Sequence, residues 1–407
     1  MIKPLALFSI LLAAISVSSF AQKAPTKQQI KDRNKNIFSV AAEPKHFNEV
    51  IDFEMINGAI IIPVKIHGST YHFLFDSGAL TVLSDEVQES MHLTAVTKND
   101  VSGSMGGSES MSFYNLDSLG LDNVYFTNIG VGSFDTKPFA HALCSKVDGI
   151  LGANIMRTCY WKIDYVQHKI SFSDQAYPKP ADAYVFDFEE SFSGSPLVNI
   201  KFGKFNIQAI WDSGNNRYID VPDSAYFNSG VNLLNQTEGR GSTNASLNGP
   251  KEFNLFMTQH NIKIGENEFD NEPIRISPGK MPLIGNLFMK RHETVLLDWK
   301  KGKIYIGKKS AGIDSSVTAT FGITPDYVDG VCKVAFLWKG SQADKDGIQL
   351  EDKVISINGT KTSGLSDADW CSVRNNIQGL PQLEITIEHN GVTKDYVFPK
   401  YHFFSVK

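Results

Sequence analysis

The sequence predicts an all-β protein made of a duplicated β domain followed by a smaller β domain. Three observations support this fold class. The tripeptide Asp-Ser-Gly occurs twice, each time at the end of an apolar run, and two further motifs recur downstream in the same order. The chain is also rich in glycine and phenylalanine, with 32 and 27 residues. Long stretches with helical periodicity are scarce, which favours strands.

The duplication is long and regular. An apolar-Asp-Ser-Gly motif, an apolar-apolar-Gly motif and an apolar-Asp-aromatic motif recur after 136, 133 and 134 residues, respectively. A repeat of this length indicates a duplicated domain and not a solenoid unit. The repeated positions are Asp76 and Asp212, Gly152 and Gly285, and Asp164 and Asp298. We interpret the last pair as hairpin turns, because aromatic residues and a Lys-Ile strand follow them.

Each half opens with a predicted hairpin that ends in the first motif. Apolar runs at 60–66 and 71–75 are separated by a turn, and runs at 196–202 and 205–211 repeat this arrangement. Two strands that each deliver an aspartate to a sharp turn suggest carboxylates that meet. Two facing carboxyl groups cannot both ionise easily, so one retains a proton and the pair can act as acid and base together.

The domain organisation follows from composition. Lys3 precedes an apolar run and small residues at Ser19–Ala21, which predicts a secretory signal peptide over 1–21. No cysteine follows the predicted cleavage site, and no later run is long enough to span a membrane. We therefore expect an exported protein, periplasmic or extracellular, without a lipid anchor. The predicted segments are a polar leader (22–46), a first lobe (47–175), a second lobe (184–308) and a small β domain (318–407).

Composition also limits the possible partners and cofactors. The net charge of −5 predicts no binding to nucleic acid. No Cys/His cluster with metal-ligand spacing is present, so we predict no metal and no cofactor. An oxidising compartment permits disulfides, and the pairing within domains would be Cys144 with Cys159 and Cys332 with Cys371. Four buried free thiols are the alternative.

The two Asp-Ser-Gly motifs, each followed by apolar-apolar-Gly, resemble the aspartic proteases of pepsin and retropepsin type over residues 47–308. The resemblance implies a bilobal pair of β barrels, polypeptide substrates and no cofactor. It implies that Asp76 and Asp212 are the catalytic pair that holds and polarises a water. The supporting residues would be Ser77, Gly78, Ser213 and Gly214. The serines would fix the geometry, and the glycines would let the backbone approach closely.

The resemblance leaves some positions open. A Gly-rich stretch lies where the family carries its flap, with Gly106 and Gly107 as candidates, although a plain surface loop is the alternative. Residues 239–242 are the rough counterpart in the second half. Asn215 follows the second Asp-Ser-Gly, whereas Ala79 follows the first. The bulky Trp211 directly precedes the second Asp-Ser-Gly. These departures leave open a structural role for the second lobe.

The C-terminal segment resembles a bacterial PDZ domain. The resemblance is carried by the patterns at 340–348 and 352–359, which read Gly-Ser-x-Ala-x-x-x-Gly-Ile and Asp-x-Val-Ile-x-Ile-Asn-Gly. It implies binding of peptide C-termini or extended segments at a strand edge. Phe321, Gly322 and Ile323 resemble the loop that holds the terminal carboxylate. Alternatively, this domain only packs against the protease.

The leading prediction is an exported aspartic endopeptidase whose PDZ domain binds peptides or selects substrates. The alternative is a non-catalytic peptide-binding protein with a degenerate protease fold. A third possibility is an obligate dimer of retropepsin type. Because both aspartates occur in one chain, a monomer is the more natural expectation.

Overall fold

The computed structural model describes residues 37–102, 108–231, 236–241, 253–308 and 312–404. Side chains within 99–109, and those of residues 253 and 315, are outside this description. The predicted signal peptide, most of the predicted leader, and Gly106 and Gly107 also lie outside the described residues. In the described part, strands form four sheets, and the predicted all-β bilobal fold class is confirmed.

The first half, which we call lobe 1 (41–173), has nine of its described strands in one sheet and the others in a second sheet. Its strands are β1 (Ala41–Glu43), β2 (Asn48–Asp52), β3 (Glu54–Ile56), β4 (Ala59–Ile66), β5 (Ser69–Asp76), β6 (Val82–Ser84), β7 (Ala95–Ser102), β8 (Ser108–Leu121), β9 (Val124–Phe134), β10 (Gly149–Gly152), β11 (Tyr160–Asp164) and β12 (Lys169–Ser173). Three short helices connect them: α1 (Asp85–Ser90), α2 (Lys137–Leu143) and α3 (Ala153–Met156). β1 lies within the predicted leader and pairs with β9.

The second half, lobe 2 (183–307), repeats this plan. Its strands are β13 (Ala183–Asp187), β14 (Glu189–Glu190), β15 (Pro196–Phe202), β16 (Phe205–Trp211), β17 (Ile219–Pro222), β18 (Thr237–Gly241), β19 (Phe253–Ile264), β20 (Asn267–Ser277), β21 (Leu283–Ile284), β22 (Thr294–Asp298) and β23 (Lys303–Gly307). Its helices are α4 (Asp223–Asn228) and α5 (Asn286–Arg291). The hairpins β4–β5 and β15–β16 confirm the predicted openings of the two halves.

A six-stranded sheet joins the two lobes, in the order β13-β23-β22-β11-β12-β2. At its centre β11 of lobe 1 pairs with β22 of lobe 2, so that Trp161 lies opposite Leu297. One continuous apolar core runs through both lobes beside this sheet, and Trp161 and Trp211 are fully buried in it. The lobes are therefore held together by backbone pairing as well as by a common core.

The remaining residues form a C-terminal unit (319–402). Its strands are β24 (Ala319–Thr320), β25 (Ile323–Val328), β26 (Val331–Trp338), β27 (Lys353–Ile357), β28 (Thr360–Lys361), β29 (Gln382–His389), β30 (Val392–Pro399) and β31 (Tyr401–His402), and its helices are α6 (Gln342–Lys345) and α7 (Asp367–Gln378), preceded by a 3₁₀ turn at Ser315–Val317. Ser366 begins α7 with a capping box to Asp369. The unit has its own apolar core around Trp370.

The C-terminal unit is attached to both lobes. Strand β18 of lobe 2 pairs with β26, so the sheet of lobe 2 continues into the unit. Glycines permit this close pairing, because a Cβ on Gly239 would lie 2.4 Å from the Phe336 ring and one on Gly241 would lie 2.1 Å from a backbone oxygen. The predicted flap counterpart at 239–242 is thus a docking strand over its described residues.

A disulfide attaches the unit to lobe 1. It joins Cys144, at the end of α2, to Cys371 on α7, across 227 residues of sequence. The predicted pairings within domains are therefore wrong, and so is the alternative of four free thiols. Cys159 and Cys332 are free and buried. Burial raises the pKa of each of these two thiols to about 12, so both are protonated at neutral pH.

Candidate active site

The structure brings the two predicted aspartates together where the lobes meet. Asp76 ends β5 and Asp212 follows β16, and each strand pairs in parallel with the strand of the apolar-apolar-Gly motif of its own lobe. Asp76 is 9% exposed and Asp212 is half-buried. The two carboxyl groups are close enough for each to alter the pKa of the other. A turn after a buried strand in each lobe therefore delivers one half of a carboxyl pair.

Backbone amides hold both carboxyl groups in place. The amide of Gly78 donates to Asp76 Oδ1 at 2.7 Å, and the amide of Gly214 donates to Asp212 Oδ1 at 2.9 Å. The amide of Asn215 adds a second bond to Asp212 Oδ1 at 3.1 Å. Asn215, where the second motif differs from the first, thus supports the pair. Its backbone amide holds Asp212, and its side-chain amide donates to Asp220 Oδ2 at 3.1 Å.

Glycine is required next to each carboxyl group by the space available. A Cβ on Gly78 would lie 2.7 Å from Asp212 Cγ, and a Cβ on Gly214 would lie 2.2 Å from Asp76 Cγ. Each lobe's glycine therefore faces the carboxyl group of the other lobe. This is the close approach predicted for the two glycines.

The two serines form a reciprocal set of four hydrogen bonds between the lobes. Ser77 Oγ donates to Trp211 O at 2.5 Å and accepts from the Ser213 amide at 3.0 Å. Ser213 Oγ donates to Phe75 O at 2.9 Å and accepts from the Ser77 amide at 2.9 Å. Both serines are fully buried. The four bonds fix the separation of the strands that carry the aspartates.

The bulky Trp211 does not crowd the carboxyl pair. Its ring packs into the core of lobe 2 against Phe186 and Phe288, with ring centroids 5.6 and 6.2 Å away. In lobe 1, Phe75 packs in the same way against Trp161 at 5.3 Å. Neighbouring residues of a strand face opposite sides, so the large ring and the carboxylate are separated.

The environment raises the pKa of both aspartates. Burial is the main cause for Asp76, opposed by its hydrogen bond from the Gly78 amide. For Asp212 burial again dominates, and the charge of Asp76 and the hydrogen bond between the two groups raise the pKa further, well above its ordinary value. The pair therefore retains a proton at a pH where an isolated aspartate would be ionised.

Amide side chains that the motif analysis missed support the loops. Asn286 Nδ2 donates to Ser213 O at 2.5 Å, and Tyr165 Oη donates to Asn286 Oδ1 at 2.8 Å. In lobe 1, Asn154 Oδ1 accepts from the Thr81 amide at 2.8 Å. Asn154 lies two residues after Gly152 and Asn286 one residue after Gly285, so an asparagine close behind each apolar-apolar-Gly motif was the available signal.

The carboxyl pair lines a cavity of about 1860 Å³ that extends to the C-terminal unit. Lobe 1, lobe 2, strand β25 and helix α7 all contribute to its wall. Phe321 and Ile323 of the predicted carboxylate-binding loop line it as well, and Gly322 lies between them with φ +86°. In the described part of the chain, no group of three or more His, Cys, Asp or Glu side chains is arranged to hold a metal ion.

Lobe 1 and the C-terminal unit meet at one edge of this cavity. His141 Nε2 of α2 lies 3.0 Å from Asp326 Oδ1 of β25, and the guanidinium of Arg374 on α7 donates to the carbonyls of His141 and Ala142. Asn57, in the β3–β4 turn, accepts from Gln378 of α7 at 2.9 Å. The cleft is therefore bounded by the C-terminal unit as well as by the lobes.

Comparison with known proteins agrees with the motif. Residues 62–155, which include Asp76 and Gly152, match the family model described as aspartyl protease. The chain therefore contains an aspartyl protease family domain. A comparison with curated protein sequences finds no match.

Several solved structures are similar to this chain. The aspartic proteinase from Irpex lacteus is 11% identical, with 65% of this chain and 98% of that chain covered and a TM-score of 0.38. Basic 7S globulin from soybean is 9% identical, with 65% and 96% covered and a TM-score of 0.39. A retropepsin-like aspartic protease from Rickettsia conorii is 15% identical, with 33% and 93% covered and a TM-score of 0.23.

Proposed function

We propose that this protein is an aspartic endopeptidase that hydrolyses peptide bonds with a water activated by Asp76 and Asp212. The observation that carries the proposal is the carboxyl pair itself, with one group from each lobe, each held by a backbone amide and each with a raised pKa. Such a pair supplies an acid and a base at the same point.

In the proposed reaction, the ionised carboxylate of the pair takes a proton from the water as the water oxygen attacks the peptide carbonyl carbon. The protonated carboxyl group gives its proton to the carbonyl oxygen, which yields a neutral tetrahedral diol. The carboxyl group that took the proton from water then gives it to the leaving nitrogen as the C–N bond breaks, and the other carboxylate takes a proton from a diol hydroxyl as the new carbonyl forms. The pair ends with one proton, as it began, so neither ionisation belongs to one residue alone.

The test is cleavage of a diverse peptide mixture by the protein from Gln22 onward, between pH 3 and 8, with fragments identified by mass spectrometry. We expect cleavage with a maximum where the pair holds one proton and a decline on both sides. The double variant Asp76→Asn/Asp212→Asn is the control and should cut nothing. Absence of cleavage by the folded wild-type protein would favour the non-catalytic peptide-binding alternative.

We also propose that the C-terminal unit is a PDZ domain that binds peptide ends. Strand β25 is paired on one side with β26, and its residues line the cavity together with α7. Lys400 places its Nζ 5.1 Å from the centroid of the Phe321 ring and lines the same cavity, so it can attract a terminal carboxylate. Because His141 contacts the middle of β25, the end near Ile323 is the proposed binding position.

This second proposal is tested by binding of peptides that differ only at their C-terminus. Fluorescence anisotropy should show tighter binding of the free carboxylate than of the carboxamide, and Lys400→Met should reduce the difference. Equal binding of both forms would favour a purely structural role for the unit.

We also propose that the protein is exported and acts as a monomer. Among the described helices, none is long and apolar enough to cross a membrane. Both aspartates come from one chain, so a second copy is not needed to assemble the pair. A solution mass equal to one chain would support the monomer, and a dimer that loses activity on dilution would contradict it.

A further inference from the structure

The two lobes place different side chains at equivalent positions beside the carboxyl pair. In lobe 1, Val82 lies opposite Ile150 on one side and Gly132 on the other. In lobe 2, Asp220 lies opposite Leu283 on one side and Arg275 on the other. Ile150 and Leu283 occupy the same position of the apolar-apolar-Gly repeat. Strand register therefore makes Asp220 the counterpart of Val82, and Arg275 the counterpart of Gly132.

The lobe 1 version of this position is apolar. Met111 fills the space beside Gly132, because a Cβ there would lie 2.4 Å from Met111 Sδ. Val82, Met111 and Ile150 belong to one apolar cluster, and all three line the cavity. An apolar side chain of a bound polypeptide would lose water contact against this wall at no cost in hydrogen bonds.

The lobe 2 version is an ion pair. Arg275 Nη1 donates to Asp220 Oδ1 at 2.8 Å, and the two side chains are 9% and 10% exposed. Asp220 is also held by the Asn215 side chain, which connects the ion pair to the loop of Asp212. Both members line the cavity. Breaking such a pair leaves an uncompensated buried charge. A buried ion pair in the wall of a cleft therefore calls for a functional explanation.

Arg275 uses only part of its guanidinium within the chain. Its Nε and Nη2 are shielded from solvent and have no hydrogen-bond partner among the described residues. These two N–H groups form one edge of the planar fork, the arrangement that binds a carboxylate through two parallel hydrogen bonds. Buried donors without partners are costly, and an acceptor that displaces the atoms covering them removes that cost.

A second guanidinium group lies in the same wall. Arg217 lines the cavity near Arg275, and burial together with the charge of Arg275 lowers the pKa of Arg217 to about 10. Asp220 is the carboxylate that opposes this effect, and Arg374 adds to it. The guanidinium groups of Arg217 and Arg275 therefore both act on the Asp220 carboxylate in this wall of lobe 2.

We propose that Arg275 binds a carboxylate of the polypeptide on the lobe 2 side of the carboxyl pair, so that the preferred substrates carry an acidic side chain there and an apolar side chain on the lobe 1 side. The proposal rests on the proposed endopeptidase function for its consequence, cleavage beside acidic residues. Binding itself does not require that the protein cuts.

The experiment therefore measures retention and not cleavage. A peptide pool in which every sequence exists in a Glu form and a Gln form is passed at pH 6 over immobilised Asp76→Asn protein, and retained peptides are quantified by mass spectrometry. We expect each retained Glu form to exceed its Gln form by about 10- to 100-fold, as a charge-assisted hydrogen-bonded pair allows. The ratio of retained Glu form to retained Gln form should fall to about one when Arg275→Gln is added to the immobilised protein.

Two further variants separate binding from folding and from general charge. Asp220→Asn/Arg275→Gln replaces the ion pair by neutral amides that can still hydrogen-bond, so it should fold and show no Glu excess. Arg240→Gln removes an exposed charge of the same lobe outside the cavity and should keep the excess. Equal retention of both forms, retention of neither, or a Glu excess that survives the loss of Arg275 overturns the proposal. A wild-type protein that retains Glu forms without cutting them would contradict only the endopeptidase function.

Discussion

The two lobes are alike where they hold the aspartates and different where they face a ligand or the C-terminal unit. Each lobe supplies one aspartate, one glycine that faces the opposite carboxyl group and one serine that bonds to the opposite strand. Beyond that loop, lobe 1 has an apolar wall and lobe 2 has an ion pair. A symmetric device for proton sharing is thus combined with an asymmetric cleft. Under the proposed function, the symmetric part serves the chemistry and the asymmetric part discriminates between side chains.

The largest expected effect tests the symmetric part. Gly78→Ala and Gly214→Ala each place a Cβ within 2.7 Å of the opposite carboxyl group. We expect either change to lower kcat/KM at least about 100-fold, since a displacement near 1 Å of a reacting group has that effect. Kinetics on one peptide substrate will check this. Gly379→Ala, at a glycine with open space around it, should change little. A fully active Gly214→Ala protein would mean that the lobes are not equivalent.

The second prediction concerns attachment of the C-terminal unit, which a disulfide links to lobe 1 and the polypeptide chain links to lobe 2. Removing the Cys144–Cys371 bridge should lower the free energy of unfolding by about 2–5 kcal/mol, because the closed loop is long. Thermal or denaturant unfolding with and without reductant will measure this. The variant Cys144→Ala/Cys371→Ala should be less stable and indifferent to reductant. Equal melting of oxidised and reduced wild-type protein would show that strand pairing with lobe 2 is sufficient.

The third prediction tests the serine bonds. Ser77→Ala and Ser213→Ala each leave one buried carbonyl and one buried amide without a partner in the opposite lobe. We expect similar losses of about 2–4 kcal/mol in the free energy of unfolding. Denaturant unfolding will compare them with Ser224→Ala, an exposed serine of α4. Losses that differ by more than the measurement error would show that one lobe depends more on the other.

The smallest effect concerns pH and the contact between α2 and β25. The hydrogen bond to Asp326 raises the pKa of His141, and Asp367 adds to this while burial and Arg374 oppose it. Because the folded pKa is above the unfolded value of about 6.5, the stabilisation is complete below that pH and is lost as pH rises through the raised pKa. Hydrogen exchange of α2 and β25 should increase over this range in the Cys144→Ala/Cys371→Ala protein.

The variant His141→Asn, made in the same background, should remove that pH dependence. Exchange rates of α2 and β25 that follow only the intrinsic pH effect in both proteins would show that His141 does not contribute to docking.

The sequence predicted the parts of the site that lie in local motifs. Asp76, Asp212 and their Ser-Gly neighbours stand at the same place of a repeat, so their meeting follows from the duplication. The Cys144–Cys371 bridge could not be predicted in this way, because local spacing says nothing about contacts over 227 residues. The position of β18 against β26 was missed for the same reason.

The ion pair of lobe 2 was also missed, because the repeat offset alone does not align it with its counterpart in lobe 1. The loop after the second aspartate is two residues longer than the loop after the first, so Asp220 aligns with Val82 only when strand register is known. A fixed offset of 136 residues would have compared Asp220 with Ser84 instead. Register, which pairing determines, was the missing information.

We expect the two lobes to contribute equally to one proton-sharing pair. The most direct test is kcat/KM of Asp76→Asn, Asp212→Asn and the double variant on one peptide substrate. We predict that each single variant loses at least about 1000-fold and that the double variant is little worse than either, because groups that act as a unit are not additive. A single variant that keeps activity within about tenfold of wild type, with the double variant far lower, would contradict the claim.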